Sequence, residues 1–278
     1  MKRTAAEERA LLAAAEIGRR VGSAKVVEDP DLLLPYGADE SGLPASPPPA
    51  AIRCEDAADV AATLAVAAER GVPVTPRGRG TGKSGGAIPV RGGIVLLTER
   101  MDRIIEIDRA ERLAIVEPGI VLQTFQEAVE AEGLFYPPDP ASLDSCALGG
   151  NVAENAGGPR AFKYGVTREY VLGLDVALMG GATTFAGRRT RKGVAGYDVV
   201  AALVGSEGTL GVFTRVIVRL RVRPSATQTL LATYSDEIAA GEAVRDLLGS
   251  GLVPSVIEIL DGHCIDVIRR AGHNPIPG

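Results

Sequence analysis

The glycine-rich segment PVTPRGRGTGKSGG, residues 73–86, constrains the fold of this chain more than any other part of the sequence. Apolar runs at 72–75 and 94–98 predict a strand on either side of it. Glycine adopts positive φ without strain and lets other groups approach the backbone closely. Successive backbone N–H groups in such a loop can converge on an anion. The segment therefore predicts a loop that binds a diphosphate between two strands.

Side chains within this loop also favour an anion. Thr81 and Ser84 offer hydroxyl donors, and Arg77, Arg79 and Lys83 supply positive charge. Each hydrogen bond to a charged group contributes roughly 1.5–3 kcal/mol net, so several together could hold a diphosphate without a helix dipole. The alternative that these residues leave open is a flexible surface loop.

Two nucleotide-binding motifs match the loop only formally. Residues 80–85 fit G-x-G-x-x-G, and residues 82–84 fit the end of a Walker A loop. Both motifs require a helix directly after the loop. Here Pro89, Gly92 and Gly93 follow, and Arg77 stands where Walker A needs glycine. A Rossmann dinucleotide site and an ATP site are therefore not expected.

A second glycine cluster lies in PPDPASLDSCALGGNVAENAGG, residues 137–158. A long loop inside a compact domain is usually functional. The segment predicts a second wall that closes over a bound cofactor, with its glycines permitting backbone contact. The alternative is a structural loop with a short helix at 151–155.

Hydrophobic periodicity predicts an ordered series of helices and strands in the rest of the chain. Helices are expected at 5–20, 56–70, 121–132, 197–204 and 236–248, strands at 50–54, 72–75, 94–98, 170–179, 183–186, 212–222, 230–234 and 255–260, and a hairpin over 103–118.

Composition excludes several classes of function. A net charge of −5 argues against nonspecific nucleic-acid binding, which relies on positive surface. No run approaches the roughly 20 apolar residues that span a bilayer, and no signal-peptide core is present. Cys54, Cys146 and Cys264 lack the spacing of a disulfide, zinc or iron–sulfur framework. A soluble cytoplasmic protein without a metal site is therefore expected.

Six short motifs occur in a fixed order: PRGRGTGKSGG, PPDP, GGNVAENAGG, KYG (163–165), GYD (196–198) and GSEGTLGVFT (205–214). Together they resemble the FAD-binding domain of the p-cresol methylhydroxylase and vanillyl-alcohol oxidase superfamily. Within it, the nearest likeness is to the flavoprotein subunits of glycolate oxidase and D-lactate dehydrogenase. The resemblance covers about residues 35–260.

The resemblance implies an α+β fold with a p-cresol methylhydroxylase-type FAD-binding domain made of two α/β subdomains. It places a helical arm at 1–34 and the FAD-binding domain at 35–224, divided near 115–120. Residues 225–278 would begin an α+β substrate domain that stays incomplete. Its half-built sheet would recruit a partner chain through unpaired strand edges.

The resemblance also implies which residues bind FAD. The first loop would wrap the pyrophosphate, the PDP segment would lie beside the flavin and ribityl chain, and the remaining residues would close the site. The positions are Pro76, Arg77, Gly78, Arg79, Gly80, Thr81, Ser84, Gly85, Gly86, Asp139, Pro140, Ser142, Gly149, Gly150, Asn151, Asn155, Gly157, Gly158, Glu207, Gly208 and Val212.

Some positions depart from the family pattern or stay open. Ala147 stands where Thr is frequent, Ala141 replaces a small polar residue, and Lys83 replaces a neutral one. Core packing is an equal alternative for Leu210 and Val212. The backbone donors remain, so FAD binding is still expected.

FAD should be bound noncovalently, because the two histidines, His263 and His273, are far in sequence from the first loop. A metal site formed by His263 with Cys264 and Asp266 is a weaker alternative to surface histidines. The basic run 188–192 is either a solvated loop or a cover for the flavin phosphates.

The activity implied is oxidation of a small 2-hydroxy acid such as glycolate or D-lactate. Electrons would pass to a quinone or to a redox partner subunit, iron–sulfur or second flavoprotein, and the partner could bring the chain to a membrane. The family's catalytic groups lie mainly in the C-terminal domain, so no catalytic residue is named. Alternatives are a noncatalytic flavin-binding subunit, an aldonolactone or alditol oxidase, and a cell-wall precursor reductase.

Overall fold

Two β-sheets organise residues 4–272, the part of the chain that this computed structural model describes. The first sheet has the order β1-β2-β4-β3. Strands β2 and β3 both pair with β4 in parallel, and β1 pairs with β2 antiparallel. Its strands are β1 (Val26–Val27), β2 (Ala50–Arg53), β3 (Val74–Arg77) and β4 (Ile94–Leu97).

The second sheet is antiparallel and has the order β5-β6-β10-β8-β9. The predicted hairpin over 103–118 forms its first two strands, and the turn at Gly180 and Gly181 joins β8 to β9 as expected. The strands are β5 (Ile104–Asp108), β6 (Leu113–Val116), β8 (Val171–Ala177), β9 (Thr183–Gly187) and β10 (Val212–Arg219), and a separate small pair consists of β7 (Leu134–Phe135) and β11 (Arg221–Val222).

Helices connect and cover these sheets. Helix α1 begins with a capping box between Thr4 and Glu7, and α3 begins at an Asp56 cap whose side chain accepts the Asp59 N–H. The helices are α1 (Ala5–Val21), α2 (Pro30–Leu33), α3 (Ala57–Glu69), α4 (Leu122–Ala131), α5 (Leu148–Glu154), α6 (Ala161–Tyr164), α7 (Val199–Leu203), α8 (Glu237–Gly249) and α9 (Gly262–Arg270).

The two largest hydrophobic clusters are centred on different sheets, although the first also includes Ala177 of β8 and Val212 of β10. Helices α1 and α3 cover the first sheet, so that Ile17 and Leu64 pack in one cluster with Ile52 and Leu96. In the second core Tyr136 makes edge-to-face contacts with Phe125 and Tyr170, at centroid distances of 5.3 and 5.6 Å. Two cores agree with two subdomains.

The chain passes from the first sheet to the second between Leu97 and Ile104. The sequence predicts the division near 115–120, at the end of the hairpin, and this division stays a prediction. Hairpin strands β5 and β6 in fact pair with each other and, through β6, with β10. The domain limits themselves, at 34 and 224, stay a prediction.

The predictions for the tail were right for one helix and wrong for two strands. Helix α8 occupies the expected place, but 230–234 and 255–260 form no strands, and α9 was not predicted. No side chain within 221–272 is buried. A strand needs a neighbour for its backbone hydrogen bonds, and the described part of the tail offers none.

Leu96 tests the packing of the first sheet, since its side chain is fully buried in the cluster that includes residues of α1, α3 and β2. Leu96→Ala should lower the free energy of unfolding by about 2–5 kcal/mol through lost contacts and a cavity. The matched control is Leu12→Ala on α1, because that side chain is 61% exposed. Its effect should stay within about 0.5 kcal/mol. Urea unfolding measures both, and equal losses would contradict this packing.

Candidate functional site

A cleft of about 550 Å³ opens between the loop that follows β3 and the N-terminal turn of α5. Its volume lies within the usual range for small-molecule sites. The start of β10 and the 206–211 loop form a further wall. The cleft therefore lies where the two sheets meet.

The walls of this cleft approach each other closely at glycine positions. A Cβ atom built on Gly78 would lie 3.1 Å from Ala147 Cβ and 4.0 Å from Gly150 N. A Cβ on Gly208 would lie 3.0 Å from Pro76 Cγ, so the third wall is equally close. A Cβ on Gly150 would meet nothing within 4 Å, because this position faces the open cleft. Glycine at positions 78 and 208 thus permits the close approach of the walls, and glycine at position 150 leaves space in the cleft.

Most positions that the resemblance implied line this cleft together. They are Pro76, Arg77, Gly78, Arg79, Gly80, Thr81, Gly86, Pro140, Ser142, Gly149, Gly150, Asn151, Gly157, Glu207, Gly208 and Val212.

Five implied positions lie outside the lining: Ser84, Gly85, Asp139, Asn155 and Gly158. Ser84 Oγ donates to Glu154 Oε2 at 3.0 Å, and Asn155 Oδ1 accepts the Arg168 backbone N–H at 2.9 Å. Asp139 accepts the Arg160 backbone N–H at 3.1 Å and pairs with its guanidinium. A Cβ on Gly158 would overlap the Asp139 carbonyl, and one on Gly85 would crowd Leu43. In the structure these residues stabilise the walls of the cleft through contacts within the protein.

All three loop cations line the cleft, but Arg77 and Lys83 are bound to protein groups. The buried Arg77 guanidinium donates to the carbonyls of Pro35 (3.1 Å) and Ala38 (2.7 Å), and burial lowers its pKa. It lies under Gly80, where a Cβ would overlap it. A buried guanidinium needs acceptors, and the carbonyls of the 35–38 segment provide them.

The other two cations differ from each other. Lys83 pairs with Glu40 at 2.7 Å on the rim of the cleft. Arg79 is exposed and, within residues 4–272, makes no hydrogen bond or ion pair. Only Arg79 is therefore free to meet a ligand without first leaving a partner.

Gln126 is a positioning residue that the sequence analysis missed. Its buried Nε2 donates to the carbonyls of Tyr136 (2.9 Å) and Pro138 (2.7 Å) and so holds the segment that brings Pro140 to the cleft. A signal was present: Gln126 lies within the apolar stripe of α4 formed by Leu122, Phe125 and Val129. A polar residue in such a stripe needs a buried partner.

Four residues with carboxyl side chains also line the cleft: Glu40, Asp144, Glu154 and Glu207. Glu154 was missed, although it ends the short helix inside the second glycine cluster. Burial raises the pKa of Glu154, and the negative charges of Glu207 and Asp39 add to that effect, while the Ser84 hydrogen bond opposes it. Glu207 has left-handed backbone, with φ of 51°.

Cys146 contributes a thiol to the same lining. Burial raises its pKa, with the Asn151 amide opposing the shift, so the thiol is neutral near pH 7. A neutral buried thiol is a poor nucleophile.

The remaining candidates lie elsewhere. The basic run 188–192 is exposed and outside the lining, and Arg189 pairs with Glu106 of β5. His263 is exposed on α9, and His273 lies outside the described residues. Across 4–272 no group of three or more His, Cys, Asp or Glu is arranged to hold a metal ion. Nor does any helix of that range combine the length and apolarity needed to cross a membrane.

Known proteins resemble the chain over most of its length. It is 43% identical over 236 residues to the glycolate oxidase subunit GlcD of Bacillus subtilis, which covers 85% of the chain and 50% of that protein. It is 40% identical over 240 residues to the D-lactate dehydrogenase of Archaeoglobus fulgidus, covering 86% and 52%. The chain thus spans about half the length of these relatives.

Solved structures share the fold. Substrate-bound p-cresol methylhydroxylase superposes with a TM-score of 0.73 at 21% identity, over 88% of the chain and 50% of that protein. An alkyldihydroxyacetonephosphate synthase gives 0.75 at 20% identity, over 87% and 46%. The predicted p-cresol methylhydroxylase-type fold is confirmed. Residues 48–187 match the FAD binding domain family, so the chain belongs to that family and its cofactor is FAD.

Proposed function

We propose that this chain supplies the flavin-binding part of an oxidoreductase that oxidises a small 2-hydroxy acid of the glycolate or D-lactate type. The observation that carries the proposal is the cleft in which Gly78 faces Ala147 and Gly150. The names of the relatives, a glycolate oxidase subunit and a D-lactate dehydrogenase, support the substrate class.

The cleft fits FAD in shape and in chemistry. The backbone of Gly78–Thr81 would hold the diphosphate, since no side chain of Gly78 or Gly80 blocks its N–H groups. Pro140, Ser142 and Cys146 would line the flavin end. Bound FAD supplies a two-electron acceptor for the hydroxy acid.

Attachment of FAD is proposed to be noncovalent. His263 is not part of the cleft lining, and the Cys146 thiol stays neutral for the reason given above. The walls would therefore hold FAD by hydrogen bonds, charge and packing alone.

Among residues 4–272, the cleft lining contains carboxylates, hydroxyls and cations but no imidazole. Oxidation of a 2-hydroxy acid needs a base for the hydroxyl proton and cations for the carboxylate. We propose that these groups come from a polypeptide that corresponds to the other half of the relatives. The missing imidazole also supports a second candidate, in which this chain alone is a noncatalytic flavin-binding subunit.

The acceptor of the electrons is proposed to be a quinone or a redox partner subunit rather than NAD. The word subunit in the name of the GlcD relatives supports a multi-subunit assembly. A cytoplasmic location, peripheral to a membrane through such a partner, fits this proposal.

Gly150 provides a direct test of the cofactor site. Gly150→Leu should abolish FAD uptake, because its side chain would project into the cleft, while helix α5 should not be weakened since Leu favours helix over Gly. Flavin absorbance after gel filtration measures uptake, and circular dichroism measures folding.

Gly241→Leu is the matched control, because Gly241 is also helical and also has open space at its Cβ, but lies on the exposed helix α8. This variant should take up FAD like the parent protein. Equal uptake by folded Gly150→Leu would place the cofactor elsewhere.

The substrate proposal predicts which donors reduce the bound flavin. The FAD-loaded chain alone should keep its flavin absorbance under anaerobic glycolate or D-lactate. Combined with the polypeptide corresponding to the relatives' C-terminal half, the flavin should bleach with one of these acids and not with NADPH. Bleaching by NADPH instead would contradict the proposal and favour a reductase.

A further inference from the structure

The carboxyl group of Glu154 lies directly against the glycine-rich loop. Its Oε1 would be 3.0 Å from a Cβ on Gly82 and 3.5 Å from one on Gly86, and its Oε2 accepts the Ser84 hydroxyl at 3.0 Å. Glu154 ends α5 in the second half of the fold, whereas the loop belongs to the first. The carboxyl group thus joins the two walls of the cleft at the loop proposed to hold the diphosphate.

Negative charge surrounds this carboxyl group. Glu207 faces it from the 206–211 loop, with its Oε2 3.1 Å from a Cβ on Gly86, and Asp39 lies near it on the 38–41 segment. Burial and these two charges raise the pKa of Glu154, and only the Ser84 hydroxyl lowers it.

Most cations near Glu154 already bind other groups of the protein. Arg77 is bound to the carbonyls of Pro35 and Ala38, and Lys83 pairs with Glu40. At the base of α5, Arg168 donates to the carbonyls of Ala201 and Val204. Arg79 is the free cation of the described loop, but it is exposed to solvent, which screens its charge.

FAD would bring the two negative charges of a diphosphate to this loop. An ionised Glu154 would repel them, whereas its neutral form would remove the repulsion and offer an O–H donor. We propose that Glu154 is a binding residue that takes up one proton when the FAD diphosphate binds. This inference rests on the proposed function of the cleft.

The sign of the pH dependence follows from linkage. A carboxyl group that is ionised in the free protein and neutral in the complex weakens binding as the pH rises. Above the pKa of free Glu154, the Kd for FAD should increase by about tenfold per pH unit until the ionised form can itself bind. Below that pKa the Kd should level off.

Calorimetry of FAD binding to the full chain tests this directly. Titrations at neutral pH in two buffers with different ionisation enthalpies give the number of protons taken up. We expect a value approaching one for the parent protein. Binding without proton uptake, or a Kd that is flat from mildly acidic to mildly basic pH, would overturn the inference while leaving the flavin site intact.

Variants of Glu154 test whether this residue takes up the proton. Glu154→Gln should bind FAD with no proton uptake and a pH-independent Kd, because its amide is neutral and can still donate. Glu154→Ala should also lose the uptake, which gives a second reading if the Gln variant misfolds. Retained uptake in either folded variant would overturn the assignment.

Glu127→Gln is the matched control. Glu127 is exposed on α4, bonds only to Gln123 within the described chain, and does not line the cleft. This variant should keep the parent proton uptake, and a loss of uptake here would overturn the assignment to Glu154. If the folded parent protein binds no FAD at all, the proposed function itself fails.

Discussion

The close approach of two glycine-containing stretches is the contact on which the site depends. Gly78, directly after β3, lies so close to the start of α5 that a Cβ on it would be 3.1 Å from Ala147 Cβ and 4.0 Å from Gly150 N. The first stretch follows β3 of the mixed four-stranded sheet, and the second packs on the antiparallel five-stranded sheet. Neither sheet alone encloses a cleft, so the site exists because the two halves meet there.

Two buried polar side chains hold the walls of the cleft in place through hydrogen bonds inside the fold. Arg77 ties the glycine-rich loop to the 35–38 segment, and Gln126 ties α4 to the segment before Pro140. Each donates hydrogen bonds to two backbone carbonyl groups of the segment that it holds. Backbone atoms of the two glycine-containing stretches can therefore line the cleft while Arg77 and Gln126 hold the adjoining segments.

The sequence predicted those parts of the structure that local rules decide. Strands such as β4 and the β5–β6 hairpin follow from apolar runs and turn residues, and the two glycine clusters do line one cleft. It failed where the outcome depends on distant partners. The Arg77 side chain is held inside the fold by the Pro35 and Ala38 carbonyls, which are distant in sequence. The strands expected in the tail would need neighbouring strands, which the described tail lacks.

Backbone amide hydrogen exchange, with and without FAD, tests most directly whether the two stretches form one site. The account predicts that amides within 77–86 and 147–158 become protected together when FAD is added, while those of α8 and α9 do not change. Protection of neither stretch, or of one without the other, would contradict it.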